Sequence, residues 1–359
     1  MSRQCNRVAN LSSAAFRVSA LALTLAACQA ALAAENGLQR YSPGVGGSDM
    51  TSPLVPGWYG QVATVAYHAS KLKGNDGKAA ASSVNVSGFP VTYESRVKAD
   101  VVAVLPRLTY LSSNHVLGGN LGFTVMLPVI KRKGDFSVAN VNSAVPAITS
   151  AATVSLSARA DAMDGSVSGI GDVELSPIVH WEIGDHQAVT FAPTLVLPTG
   201  DYKADRRLNP GYGNFITFRP SVQYAFIGDG WDLGGRAVLS FNTRNKENGY
   251  YSGTMFNLDY QAMAFVSEDV RLGLQGYWVR QIGRDTQDLS GYPAAQQAAL
   301  AATTDLSTGN KASVVAAGPA VAWLKNGGEF MLEGKFLKEY KAHNRTEGQA
   351  FWLTLSKPL

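Results

Sequence analysis

The sequence predicts an all-β fold, a transmembrane antiparallel up-and-down β-barrel of twelve strands that forms after an export signal is cleaved. Three observations predict it: a signal-like N-terminus, long segments of alternating polarity, and connections that alternate between short and long.

Arg3, Arg7 and Arg17 precede an apolar, Ala- and Leu-rich run from Val18 to Leu32. A basic start, a short apolar run and small residues at its end make an export signal, and the run is too short for a membrane helix. Ala31-Leu32-Ala33 offers a small-x-small cleavage site, which places the mature start near Ala34. Leu25-Ala26-Ala27-Cys28 also fits a lipobox that would lipidate Cys28, although a chain that itself spans the membrane gains little from an acyl anchor. The signal takes three arginines with it, so the formal charge of +4 falls towards neutrality, which argues against nucleic acid as a partner. Both cysteines, Cys5 and Cys28, lie inside the signal. The mature chain therefore has no disulfide, thiolate metal site or cysteine nucleophile.

The expected organisation is a signal over 1–33, an N-terminal segment over 34–57 and a barrel over 58–359. The Pro/Gly-rich stretch from Tyr41 to Gly57 is either a periplasmic tail or a plug that enters the bore. No linker divides the remainder, no apolar run is long enough to span as a helix, and no fixed repeat points to a propeller or solenoid. Alternation is clearest from Val91 to Val101, where Val91, Tyr93, Val97, Ala99 and Val101 oppose Thr92, Glu94, Arg96, Lys98 and Asp100. Val173, Leu175, Val179 and Trp181 oppose Asp172, Glu174, Ser176, His180 and Glu182. Ile216, Phe218, Val222, Tyr224 and Phe226 oppose Thr217, Arg219, Ser221 and Gln223. Phe256, Leu258, Tyr260, Ala262 and Ala264 oppose Asn257, Asp259 and Gln261. A soluble sandwich also alternates, but these segments exceed the usual soluble strand and favour lipid outside with a polar lumen.

Connections test the count. Lys325–Glu329, Ser267–Asp269, Gly228–Gly230, Gly184–His186 and Ser112–Gly118 read as short periplasmic turns. Tyr340–Gly348, Gly283–Lys311, Thr243–Ser252, Thr199–Tyr212, Lys131–Ser168 and Ser70–Gly88 read as long outer loops. That parity gives twelve strands with both termini in the periplasm. It leaves the β-like stretch Thr153–Arg159 in a loop; if that stretch joined the wall, the count would become fourteen. Trp58, Trp181, Trp231 and Trp323 fall at periplasmic strand ends, and Trp278 and Trp352 towards outer ends, as two aromatic belts require. Pro293–Thr303, rich in Ala and Gln, suits a short helix in an outer loop.

Several stretches carry a resemblance. They are Gly169-Ile170-Gly171-Asp172 with Leu175-Ser176-Pro177 and Trp181, then Pro198-Thr199-Gly200-Asp201-Tyr202 and Asn209-Pro210-Gly211. Phe241-Asn242, Asn245, Tyr251-Ser252-Gly253, Gly276-Tyr277 and Gln281 follow, then Gly318-Pro319, Glu339 and Asn344-Arg345-Thr346-Glu347-Gly348. On these the chain resembles the phenol meta-pathway degradation family of outer-membrane barrels. The resemblance implies passage of small aromatic or hydrophobic compounds, and no active site. The terminal Leu359 departs from the aromatic that commonly ends such barrels.

The chemistry-bearing residues are sparse. His68, His115, His180, His186 and His343 form no metal-binding spacing, so no metal, cofactor or catalytic residue is expected. His180 shares a strand face with Ser176 and Glu182, spread over roughly 7 to 13 Å, too far for a nucleophile–base contact. A lipid hydrolase would need Ser or Asp from a neighbouring strand. An adhesive surface barrel would need loops that bind a partner over a shut bore. The expected lumen residues are Glu94, Arg96, Lys98, Asp100, Asp172, Glu174, His180, Glu182, Arg219, Asp259, Glu333, Lys335 and Glu339. They set solute preference or brace the wall by pairing. Lys131-Arg132-Lys133, Arg206-Arg207, Arg244 with Lys246, and Lys341 with Arg345 make the outer loops basic, a match for lipopolysaccharide phosphates. The expected partners are thus outer-membrane lipid, lipopolysaccharide and a small hydrophobic or aromatic solute, for a monomeric or weakly associating barrel.

Overall fold

The computed structural model describes residues 39–301, 306, 310–326 and 328–359; the signal expectations at Ala34 and Cys28 lie outside them. The chain forms β1 (Gly57–Lys73), β2 (Ala81–Val86), β3 (Phe89–Val116), β4 (Gly119–Met126), β5 (Val129–Ser143), α1 (Pro146–Asp161), β6 (Gly165–Ile170), β7 (Glu174–Ile183), β8 (Gln187–Val196) and β9 (Thr217–Gly228). It continues as β10 (Trp231–Asn242), β11 (Tyr250–Tyr251), β12 (Met255–Phe265), β13 (Val270–Gln281), β14 (Thr286–Gln287), α2 (Ala294–Ala301), β15 (Ser313–Lys325), β16 (Phe330–His343) and β17 (Arg345–Pro358).

Twelve of these strands close a ring. β1 pairs antiparallel with β3 on one side and β17 on the other, and the path runs from β17 through β16, β15, β13, β12, β10, β9, β8, β7 and β4 back to β3. The fourteen-strand alternative is not adopted. Closure satisfies every edge, which a bilayer demands because lipid offers no hydrogen bonds. Two of the turns at the short-connection end, Leu117-Gly118 and Asp229-Gly230, put both residues in the left-handed region (φ 52° and 79° in each). Such two-residue turns match the twist of the strands they join.

Side chains alternate across the wall. Val104, Leu108, Phe123, Phe218, Val222, Leu274, Phe351 and Leu353 are exposed on the outside. Asn257, Asp259, Gln275 and Glu333 are buried within. Apolar outside and charged inside inverts a soluble protein and fits a lipid solvent. No helix among the described residues is long and apolar enough to cross a membrane. Trp58, Trp231 and Trp323 are exposed at short-turn ends and Trp278 lies outward on β13. Trp352 corrects the belt expectation: it points inward, 2% exposed, with the Lys335 ammonium over its ring.

Two expected long loops are largely strand and helix. β2 pairs with the upper part of β3, β5 continues β4 beyond Leu127-Pro128, and β6 runs into β7 across Gly171-Asp172-Val173. The barrel wall thus rises into a tower beyond the bilayer. Thr153–Arg159 is helical, not β-like. Pro146 starts α1, and Ala152, Leu156 and Ala160 form a buried stripe at four-residue spacing while Val154 is 72% exposed. Residues of α1 meet Val86, Val91 and Tyr93 from β2 and β3 in one cluster, and Ala160 meets Val97 and Phe136 in another. At the other tall hairpin, β16 and β17 turn at Asn344 alone, so Tyr340–Gly348 is also mostly strand.

Candidate functional site

The bore is not empty of chain. The segment over 39–56 precedes β1 and runs inside the barrel, carried by polar groups on alternate positions of the strands. Near the short-turn end, Thr51 accepts a hydrogen bond from Gln261 (3.0 Å), and Gln261 donates to Asp232, which also pairs with Arg271. Higher up, the Ser48 amide donates to Glu333 (2.7 Å), and Lys335 donates to the Gly46 carbonyl (2.7 Å) and to Gln275 (2.8 Å). Tyr41 donates to Asp259 (2.7 Å), which also accepts from the amides of Gly44 (3.0 Å) and Gly46 (2.8 Å). At the tower end Arg40 pairs with Asp172 (3.0 Å) and donates to the carbonyls of Gly213 (2.7 Å) and Phe215.

Two glycines permit this seat. Gly44 has φ of +84°, which a side chain would strain. A Cβ on Gly47 would stand 2.1 Å from Glu333 Oε1 and 2.7 Å from Lys335 Nζ, both on fully buried side chains that cannot retreat.

A chamber of about 360 Å³ remains beside the segment. It reaches the short-turn rim at Gly328, Lys357 and Pro358 and is roofed by Tyr41 with the Glu174–Arg219 pair. Arg219 also donates to the Arg40 carbonyl, so the roof is tied to the segment. One wall is a ladder of hydroxyls across neighbouring strands: Thr109 with Thr124 (2.8 Å) and Ser176 with Thr194 (2.7 Å). His180 closes that row on Thr190 (2.8 Å), and no acid or serine hydroxyl bonds it among the described residues. Asp49 projects into the chamber. Its carboxylate pairs with Arg107 (2.8 Å) and Arg236 (3.2 Å).

The sequence-expected lumen residues divide into three groups. Asp172, Glu174, His180, Arg219, Asp259, Glu333, Lys335 and Glu339 are buried and face inward. Glu339 gathers Tyr67 (2.8 Å), Tyr277 (2.8 Å), Arg345 (3.1 Å) and the Gly348 amide (2.7 Å). Glu182 has the inward parity but is exposed at the rim. Glu94, Arg96, Lys98 and Asp100 are a correction: they lie on the outer face of the tower. On β3 their parity is that of Val102, Val104 and Leu108, which face lipid, whereas Val91, Tyr93 and Val97 are buried on the inner face. Above the bilayer the outer medium is water, so the polar half of the alternation turns outward there.

Sequence reasoning missed Arg40, Asp49, Arg107 and Arg236. The signal for Arg107 and Arg236 was present, since each stands between uncharged, mostly apolar neighbours, Val104-Leu105-Pro106 and Leu108 for one and Leu233-Gly234-Gly235 and Ala237-Val238-Leu239 for the other. The string Pro43-Gly44-Val45-Gly46-Gly47-Ser48 was likewise legible as chain slim enough to thread a bore. No group of three or more metal-ligating side chains occurs among the described residues.

Comparison with solved structures gives a COG4313 outer membrane channel from Pseudomonas putida F1 at 15% identity and a TM-score of 0.59, covering 89% of this chain and 100% of that one. Looser likenesses are a Pseudomonas aeruginosa FadL homologue (9% identity, TM-score 0.38, covering 85% of this chain and 91% of that one) and the NanC porin (8%, 0.35, 83% and 100%). The first establishes the fold as an outer-membrane barrel. No curated protein matches the chain. The family described as "Putative MetA-pathway of phenol degradation" matches residues 73–355, most of the length, and this chain belongs to that family.

Proposed function

We propose that the chain is a non-enzymatic outer-membrane channel for small aromatic or hydrophobic compounds, in which the segment over 39–56 acts as a plug over the outer part of the bore. The observation that carries this reading is the chamber, which meets the periplasmic rim and ends at a roof made of the segment and a wall-borne ion pair. The segment's seat is mostly hydrogen bonds and ion pairs, contacts that water can replace. Family membership supports a link to aromatic degradation, and the similar P. putida protein is an outer membrane channel.

The test is conductance of the full chain in planar bilayers. Gly47→Val removes the space the segment needs while leaving all wall strands unchanged, so it raises conductance over wild type. Equal conductance in the two proteins defeats the plug, and a silent Gly47→Val variant that is heat-modifiable on gels defeats the channel.

Lipopolysaccharide is proposed as the lipid partner. Support comes from Lys131 and Lys133, which point outward on β5 directly above the lipid-facing Val129. Lys133 pairs at the surface with Asp135 (2.9 Å), as Arg206 does with Asp201 (3.1 Å). Two other expected contacts are engaged inside: Arg132 faces in and donates to Asn209 (2.6 Å), and Arg345 pairs with Glu339.

A further inference from the structure

From Arg107, Arg236 and the chamber they share, we infer that the bore holds a binding site for a small organic carboxylate with a compact apolar body. The inference rests on the channel reading and names the class of solute.

Arg107 comes from β3 and Arg236 from β10, on separate sectors of the wall. Both reach the same oxygen, Asp49 Oδ2, at 2.8 and 3.2 Å. Two like charges are therefore held side by side against one carboxylate, and the cations around the chamber outnumber its acids. Arg107, Arg219, Arg236 and Lys357 line it, against Asp49 and Glu174. Glu174 is spent on Arg219, and Asp259, across from Arg236 on β12, turns its oxygens to Tyr41, Gly44 and Gly46, so Asp49 is the one carboxylate that pairs directly with Arg107 and Arg236 among the described residues.

The donors needed for a second carboxylate are present. Arg236 spends Nε and Nη2 on Gln223 (3.0 and 2.7 Å) and Asp49. Arg236 Nη1, Arg107 Nε and Arg107 Nη1 make no hydrogen bond among the described residues and are not sealed from solvent. Guanidinium edges of this kind take carboxylates in two-point contact. Asp49 shows that a carboxylate fits here, and it is a tethered one, brought in by the segment. The rest of the site suits a small body: Met126, Ile178, Ala192 and Val238 give apolar lining and Thr109 and Thr124 give hydroxyls. The volume lies in the usual range for small-ligand sites.

A solute carboxylate arriving from the rim binds the free guanidinium edges first and competes with Asp49 for the pair. Asp49 is thus a built-in competitor, and exchange at the pair couples occupancy to release of that stretch of the segment.

The test is equilibrium dialysis of the full chain in detergent with radiolabelled sodium benzoate, with benzyl alcohol as a neutral probe of similar shape. Benzoate binds saturably, and benzyl alcohol neither binds as tightly nor displaces it. The double variant Arg107→Gln with Arg236→Gln loses benzoate affinity by about tenfold or more, the scale of charge-assisted hydrogen bonds. Asp49→Asn removes the competitor and gains affinity. Heat-modifiable migration shows that each variant is folded. Benzoate binding equal to benzyl alcohol, or unchanged in the double variant, overturns the site. Those results leave the channel reading standing if Gly47→Val still conducts, so the two failures are distinguishable.

Discussion

The two halves of β3 obey one pleat and opposite rules. In the lower half, Val102, Val104, Leu108 and Tyr110 face outward and exposed, while Arg107 turns in towards Asp49. In the upper half, Val91, Tyr93 and Val97 turn in and are buried, while Arg96 and Lys98 face out. No bulge on the wall-forming register with β1 separates the halves, for β3 pairs with it continuously from Ala99 to Leu111. What changes is the medium on the outside. Lipid draws the apolar set outward, and water drives it inward, against α1. Alternation therefore fixes which residues share a face but not which face is the lumen.

The largest expected effect probes the upper inner face. Leu156 is fully buried between α1 and the tower strands. Leu156→Ala costs about 2–5 kcal/mol, as truncations in packed cores do, and the loss is local. Hydrogen exchange should rise across α1 and β2 while the barrel strands keep their protection. A matching loss of protection around the whole ring breaks the division into tower and barrel.

A second substitution pair sharpens the same contrast from outside. Leu108→Arg places a charge on the lipid face and costs about 2–4 kcal/mol if it sits near the bilayer midplane. Thr92→Arg has the same outward parity in the tower and should lie within about 0.5 kcal/mol of wild type. Urea titration of refolding into vesicles measures both. Equal penalties show that the bilayer covers the tower as well.

This contrast explains what was legible in the sequence. Twelve strands could be counted because turns such as Asp229-Gly230 and the lipid-facing runs carry local signals. The inward set on β7, β9, β12 and β16 could be read because those strands lie within the bilayer, where apolar means out. Glu94 to Asp100 was misread because nothing in a period-two pattern records the height of the membrane surface. Thr153–Arg159 alternates by chance; the helix there is selected by the Ala152, Leu156 and Ala160 stripe finding the tower's inner face. The Arg107–Asp49–Arg236 cluster joins three distant parts of the chain, so only the closed ring brings it together.

The smallest effect belongs to the charge reversal on the tower, and it is the most discriminating. Replacing Arg96 and Lys98 by Glu changes the formal charge greatly. Were these side chains in the bore, a narrow and poorly screened path would shift its selectivity towards cations. They lie instead on the outside, where Arg96 is 58% exposed and meets Glu94 at 3.5 Å. Exposed pairs contribute little, and bulk salt screens such charges over about 8–10 Å. Barrel stability should therefore stay within about 0.5 kcal/mol of wild type. The reversal potential in a salt gradient, measured in the opened Gly47→Val background, should not move. Arg107→Glu in that background supplies the contrast, because the same reversal on an inward residue of the same strand faces the chamber and should shift selectivity towards cations. A shift from the tower pair as large as that from Arg107 would return Arg96 and Lys98 to the lumen and undo the reading of β3 as one strand crossing two media.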